Sequence, residues 1–205
     1  MHVLLVDDHP VVRRGLRQIL GEERNTIGEA SDAASALDAI RGGAWDFVLC
    51  DLSLPGMSGL DLVKQLGRER PALPVVVLSV HPPSQFAQRA LHAGARGYVQ
   101  KDAAPEELLR AIAAVRRGQR YVSSGSGAEW WPSGSIRLPH DTLSDREYQV
   151  LRQLGSGRTV SEVAADFALS VKTVSTYRAR VLQKLGMRTS AELMRYAIEN
   201  GLIDS

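Results

Sequence analysis

Short apolar runs alternate with amphipathic stretches over the first 118 residues. Val3 to Val6, Asp46 to Cys50, Val75 to Ser79 and Gly97 to Gln100 are nearly continuous aliphatic or β-branched runs, as strands buried on both faces are. Asn25 to Ala30 is a weaker strand of the same kind. Between them, the segments at about 10–22, 32–42, 58–69, 82–93 and 104–117 carry apolar residues at helical spacing. Five β–α units predict an α/β fold, a doubly wound, five-stranded parallel sheet of flavodoxin-like type. The functional crevice of such a sheet lies beyond the carboxyl ends of its strands.

From about 119 the periodicity stops, in Ser123-Ser124-Gly125-Ser126-Gly127 and then Trp130-Trp131-Pro132-Ser133-Gly134-Ser135, a linker composition. The paired tryptophans are expected to pack on one of the flanking domains. Beyond the linker every periodic segment is helical. Ser144 with Glu147, and Thr159 with Glu162, have the spacing of capping boxes. Ser170 can cap a third helix through about Leu185, and a last helix at about 190–199 stops at Asn200-Gly201. Four short helices with two tight connections predict an all-α helix-turn-helix domain. The expected boundaries are 1–118, a linker at 119–140, and 141–205.

Composition narrows the classes. A chain of 205 residues with 44% hydrophobic and 23% charged residues suits two folded domains. No aliphatic run approaches the ~20 residues of a membrane span, and the chain enters its first strand at Val3 with no secretory leader, so a cytoplasmic location is expected. Cys50 is the only cysteine and sits in an apolar run, which reads as a small buried hydrophobe. Residues 1–118 carry 14 Lys or Arg against 14 Asp or Glu, and residues 119–205 carry 11 against 9. Within 171–188, however, Lys172, Arg178, Arg180, Lys184 and Arg188 have no acidic neighbour. That bias suits a polyanion or a solvated helix face.

Asp7 and Asp8 end the first strand and Asp51 the third, so a parallel sheet brings three carboxylates to one edge. Such a cluster suits a hard divalent cation, best Mg²⁺, among its oxygens. Ser79 adds a hydroxyl from the fourth strand, and Lys101, after the fifth, adds a compact cation able to neutralise a phosphoryl group. Each residue alone has an ordinary reading as a cap or a surface charge; their convergence is what points to chemistry.

Residues 1–118 resemble the receiver domain of two-component response regulators. The matching pieces are Val6-Asp7-Asp8-His9-Pro10, Asp51-Leu52-Ser53-Leu54-Pro55-Gly56-Met57-Ser58-Gly59, Ser79, and Gly97-Tyr98-Val99-Gln100-Lys101. The resemblance implies that Asp51 accepts a phosphoryl group from a sensor histidine kinase. It also implies that Asp8, Asp51 and the Ser53 carbonyl hold Mg²⁺, with Asp7 helping through water. Ser79 and Lys101 would grip the phosphoryl oxygens while Tyr98 turns inward. Ser53 and His81 would flank the group, although His81 also reads as a plain loop residue and His9 as a turn residue.

From Leu143 to about Leu202 the chain resembles the LuxR-type helix-turn-helix, which together with such a receiver makes the NarL/FixJ family. The motif is Leu143-Ser144-Asp145-Arg146-Glu147, Val163-Ala164, Ser170 to Arg178, and Lys184-Leu185. Tyr177 stands where the family often has His. Val174, Val181 and Leu185 should face the core. Ser175, Thr176 and Arg178 could then meet base edges of a double-stranded DNA operator, with Lys172, Thr173 and Lys184 on phosphates. Leu193, Met194, Ala197 and Ile198 form an apolar strip that is either core or, as the resemblance implies, a pairing surface for a homodimer. The chain therefore reads as a phosphorylation-controlled transcription regulator and not an enzyme. An aspartyl-nucleophile phosphohydrolase is the rival, weakened by Ser53 where those enzymes carry a second Asp. A third alternative is a receiver that dimerises without being phosphorylated.

Overall fold

The computed structural model describes residues 1–21, 25–123 and 138–203. Trp130 and Trp131 lie outside them. The chain divides into two compact units, Met1–Trp131 and Pro132–Ser205.

The first unit runs β1 (His2–Val6), α1 (Pro10–Leu20), β2 (Thr26–Ala30), α2 (Ala33–Gly42), β3 (Phe47–Asp51), α3 (Gly59–Glu69), β4 (Val75–Ser79), α4 (Pro83–Ala93), β5 (Gly97–Gln100), α5 (Pro105–Arg116) and β6 (Tyr121–Val122). Its strands pair in parallel in the order β2-β1-β3-β4-β5-β6. The sheet thus has six strands, not the five expected. Tyr121 and Val122, assigned above to the linker, add an edge strand: the Tyr121 N–H donates to the Arg96 carbonyl at 3.0 Å and that of Ser123 to the Tyr98 carbonyl at 2.9 Å. Two apolar residues beside a Ser/Gly run are too few to show a period; what makes them a strand is the open edge of β5.

Every residue of β3 and β4 is buried. Val3, Leu5, Phe47, Leu49, Val76 and Leu78 form one core layer with Leu16 and Leu20 of α1 and Leu108, Ile112 and Val115 of α5. The alternate residues Leu4, Val48 and Val77 are equally buried, and α2, α3 and α4 pack side by side. Covering both faces leaves the ends of the strands as the surface where polar groups can gather.

The second unit opens with a 3-10 turn (Pro139–Thr142), then α6 (Asp145–Gly155), α7 (Val160–Asp166), α8 (Val171–Leu185) and α9 (Ser190–Glu199). The capping boxes Ser144–Glu147 and Thr159–Glu162 are both formed, and Thr189–Glu192 makes another. Ser170 caps α8 by accepting the Thr173 N–H. Gly155 lets α6 approach α9 closely, since a β-carbon there would stand 2.7 Å from that of Ala197. The turn between α7 and α8 places Ala168 at a φ of 51°, an uncommon conformation for a residue with a β-carbon.

Candidate functional site

Strand register assembles the acidic crevice. Val6 lies opposite Ala30 on β2 and Cys50 on β3, so Asp7 and Asp51 emerge at the same level. Asp51 lies opposite Leu78 and Ser79 opposite Gln100, which places Ser79 and Lys101 beside them. Asp7, Asp51 and Ser79 are buried. Lys101 Nζ lies 2.7 Å from Asp7 Oδ2 and 2.8 Å from Asp51 Oδ2. His9 Nδ1 stands 2.8 Å from Asp8 Oδ1, and the His9 N–H donates to Asp7 Oδ1 at 2.8 Å.

Burial pushes the Asp51 carboxyl above its ordinary value, and the Lys101 ammonium opposes that rise without cancelling it. Burial pulls the Lys101 ammonium down, but Asp51 and Asp7 outweigh it and the group ends above its ordinary value. The Ser53 N–H donates to Asp51 Oδ1 at 3.1 Å, leaving the Ser53 side chain half-buried beside the carboxylate. Burial drives the Cys50 thiol far up, so it stays protonated and is packing.

One ligand atom from each of Asp7, Asp8, His9 and Asp51 falls within 4.8 Å of the others. Asp7 Oδ2, Asp8 Oδ1 and Asp51 Oδ2 are buried without an aligned hydrogen-bond donor, with the Lys101 ammonium against the first and last and the His9 ring against Asp8. Oxygen ligands with open lone pairs are what a hard cation needs, so the residues present fit Mg²⁺.

The predicted switch residues line the next strands. Ser79 Oγ accepts the His81 N–H at 3.0 Å. Tyr98 is fully buried, and its hydroxyl donates to the His81 carbonyl at 2.9 Å. The His81 ring stacks on Phe86, with centroids 5.0 Å apart. Tyr98 thus ties β5 to the loop that follows Ser79.

In the second unit Val174 and Val181 are buried as expected, while Leu185 is half-buried and the neighbouring Leu182 is buried. Lys172, Ser175 and Thr176 are exposed on one face of α8, with Thr173 half-buried. The Thr173 hydroxyl lies 2.7 Å from Ser170 Oγ, and that of Thr176 donates to the Lys172 carbonyl at 2.9 Å. Two predicted contacts have partners inside the unit. Arg178 Nε donates to Ser190 Oγ on α9 at 2.9 Å. Lys184 Nζ lies 2.6 Å from Glu147 Oε2, the oxygen that also accepts the Ser144 N–H. Sequence reasoning gave Ala179 and Gln183 no role and Arg180 only a place in the basic run, yet all three are exposed. They continue the face that begins at Lys172 by steps of three and four, a spacing readable from the sequence. In α9 Leu193 and Ala197 are core, Met194 is half-buried and Ile198 is 59% exposed. Among the described residues no helix is long and apolar enough to cross a membrane.

Comparison with known proteins agrees with this geometry. Residues 3–113 match the family model described as the response regulator receiver domain, and residues 141–197 that described as bacterial regulatory proteins, luxR family. The chain is 36% identical to the response regulator UvrY of Escherichia coli K12, covering all of this chain and 97% of the relative. It is 35% identical to the response regulator GacA of Pseudomonas aeruginosa, over 99% and 98% of the two chains. A solved structure of RcsB from Salmonella enterica serovar Typhimurium, bound to promoter rprA with a phosphomimetic, superposes with a TM-score of 0.60 at 28% identity, covering 97% of this chain and 98% of that one. Two matched domains in this order, and relatives alike along the whole chain, place the protein in the NarL/FixJ family of response regulators: it is a DNA-binding, phosphorylation-controlled transcription regulator of a two-component system, not an enzyme.

Proposed function

We propose that Asp51 is the phosphoryl acceptor. A carboxylate oxygen of Asp51 attacks phosphorus on the phosphohistidine of a sensor histidine kinase, forming the O–P bond as the N–P bond breaks and the imidazole keeps the electron pair. The observation that carries this reading is the placement of Asp51: a buried carboxylate at the end of the central strand, 2.8 Å from Lys101 and framed by the Ser53 N–H. Asp8, Asp51 and the Ser53 carbonyl would hold Mg²⁺, with Asp7 helping through water. The ion's role is to neutralise charge on the transferring group. Lys101 and the Ser79 hydroxyl then take the phosphoryl oxygens. Once Ser79 turns toward them it releases the His81 N–H, and Tyr98, bonded to the same residue, carries that change to α4.

This division of labour keeps the DNA-binding domain at 141–205 and extends the receiver from 1–118 to take in Tyr121–Val122, which complete its sheet. In the second unit Lys172, Thr173, Ser175 and Thr176 face a DNA operator in the major groove, and Arg178 and Lys184 hold α8 at the angle that presents them. A phosphorylation-favoured homodimer places two such helices on paired half-sites, and the protein works in the cytoplasm. The RcsB–DNA structures, of which one is described as two dimers on two parallel DNAs, support the pairing.

Incubation with acetyl phosphate and Mg²⁺ should add one phosphoryl group, detected as an intact-mass increase, and tighten operator binding. Asp51→Asn should abolish both. Full labelling of Asp51→Asn would refute the assignment.

A further inference from the structure

The turn that carries Asp7 and Asp8 is gripped from β2 by a device outside the crevice. The Asp7 N–H donates to the carbonyl of Ala30 at 3.1 Å. The Asp7 carbonyl accepts Arg13 Nη1 at 2.6 Å. Arg13, one turn into α1, is in turn held through Nε by Glu29 Oε2 at 2.6 Å, and Glu29 is Ala30's neighbour on β2. Both sides of the Asp7 backbone are therefore anchored to adjacent residues of one strand.

The grip is strong for its position. The Arg13 side chain is only 15% exposed, and its fork meets a carboxylate and a carbonyl together, which one lysine point charge cannot reproduce. Glu29 is kept anionic by two guanidinium groups: Arg13 first, then Arg17, whose Nη1 donates to Glu29 Oε1 at 2.8 Å; together they lower its carboxyl below the ordinary value. Arg17 shares Glu29 from the next turn of α1, while the hydrogen bond to the Asp7 carbonyl comes from Arg13.

The carbonyl that Arg13 holds belongs to the peptide joining Asp7 to Asp8. Its plane sets where the Asp8 side chain leaves the backbone, and hence where Asp8 Oδ1 stands relative to Asp7 and Asp51. We propose that Arg13, held by Glu29, is a positioning residue: it fixes the Asp7–Asp8 peptide and thereby sets the crevice's affinity for Mg²⁺. This rests on the reading of the crevice as a Mg²⁺ site. Groups that orient metal ligands from outside typically change affinity 10–100-fold when removed. An exposed ion pair that only tied α1 to β2 would change stability instead.

The two roles separate in a calorimetric Mg²⁺ titration of the full chain, run beside thermal unfolding without the ion. Arg13→Ala should weaken Mg²⁺ about tenfold. Arg17→Ala should lower the unfolding temperature similarly while leaving Mg²⁺ affinity within about twofold, since it removes an ion pair between α1 and β2 but keeps Arg13 on the Asp7 carbonyl. Glu29→Gln should weaken Mg²⁺ through the loosened Arg13, and Arg13→Lys, which keeps the charge but loses the fork, should fall between wild type and Arg13→Ala. Wild-type affinity in both Arg13 variants overturns the proposal. So does an equal loss in Arg13→Ala and Arg17→Ala that tracks their unfolding temperatures. Absence of Mg²⁺ binding by the wild-type chain refutes the metal reading itself, and the proposal with it.

Discussion

Gly59→Ala tests how the crevice is built without touching any group that does its chemistry. Gly59 opens α3 directly after the cap Ser58, and its N–H donates to the Leu52 carbonyl at 3.0 Å. A β-carbon there would stand 2.0 Å from the Asp51 carbonyl oxygen and 2.9 Å from both the Asp51 carbonyl carbon and Leu52 Cα. Carbon and carbonyl oxygen settle at roughly 3.3 Å or more, so α3 and the end of β3 must part by about 1 Å. All three obstructing atoms are backbone, and no rotamer change relieves them. Overpacking of this kind costs about 1–3 kcal/mol. We expect about 3, which for a domain of this size lowers the receiver's unfolding temperature by about 10 °C. The displaced residue is Asp51 itself, and a misplacement of about 1 Å can slow a positioned reaction about 100-fold. Calorimetry of the full chain should show the first loss, and the rate of labelling by acetyl phosphate the second. Gly28→Ala is the control: its β-carbon would meet the far edge of the Trp45 ring at 2.2 Å, a side chain that precedes β3 and not the backbone at the end of β3 that carries Asp51. It should lower stability yet label at the wild-type rate. Unchanged labelling and an unfolding temperature within about 2 °C of wild type for Gly59→Ala would show that the α3–β3 approach does not position the acceptor.

Three further predictions concern the DNA-binding unit. Burial works to raise the Glu147 carboxyl, but Lys184 and Ser144 outweigh it and the net shift is downward. The stability Glu147 supplies is therefore present above the ordinary glutamate value of about 4.3 and is lost as pH falls through its lower folded value. Acid unfolding should begin at higher pH in Lys184→Met, with about 1 kcal/mol lost at neutral pH, since the lysine is partly exposed and screened; an acid profile identical to wild type would remove the pair from the account of the fold. Lys172→Ala should weaken binding to all DNA sequences alike and reduce the salt slope by about one unit. Arg178→Ala should instead cost about 1 kcal/mol of stability by freeing Ser190, with the salt slope kept. Relaxed preference at one base pair, worth about 1–3 kcal/mol, would show that Arg178 reads a base after all.

The contrast between these residues marks what the chain discloses along its length. Asp7, Asp51, Ser79 and Lys101 were legible because a parallel sheet converts sequence into position: each follows a buried run, and buried runs in register end at one edge. The caps Ser144, Thr159 and Ser170 were legible because their partners lie three residues on. Tyr121–Val122 was hidden because a two-residue strand has no period of its own, only a neighbour with an open edge. Partner choice at long range was hidden for a different reason. A run of cations announces positive charge, and Lys172, Arg178 and Lys184 looked alike in it, yet Lys184 meets a glutamate 37 positions away and Arg178 a serine on the next helix. Arg13 and Glu29, 16 residues apart, gave no local sign of each other either. In both units the groups proposed to touch the ligand are announced by strand end or helix face, whereas those proposed to aim them are chosen by packing. Substitutions at aiming residues are therefore the ones that test the structure itself. Arg13→Ala leaves every carboxylate of the crevice in the chain, so a change in Mg²⁺ affinity there can arise only from where Asp7 and Asp8 point or from the lost charge, and Arg13→Lys, which keeps the charge, tells those two apart.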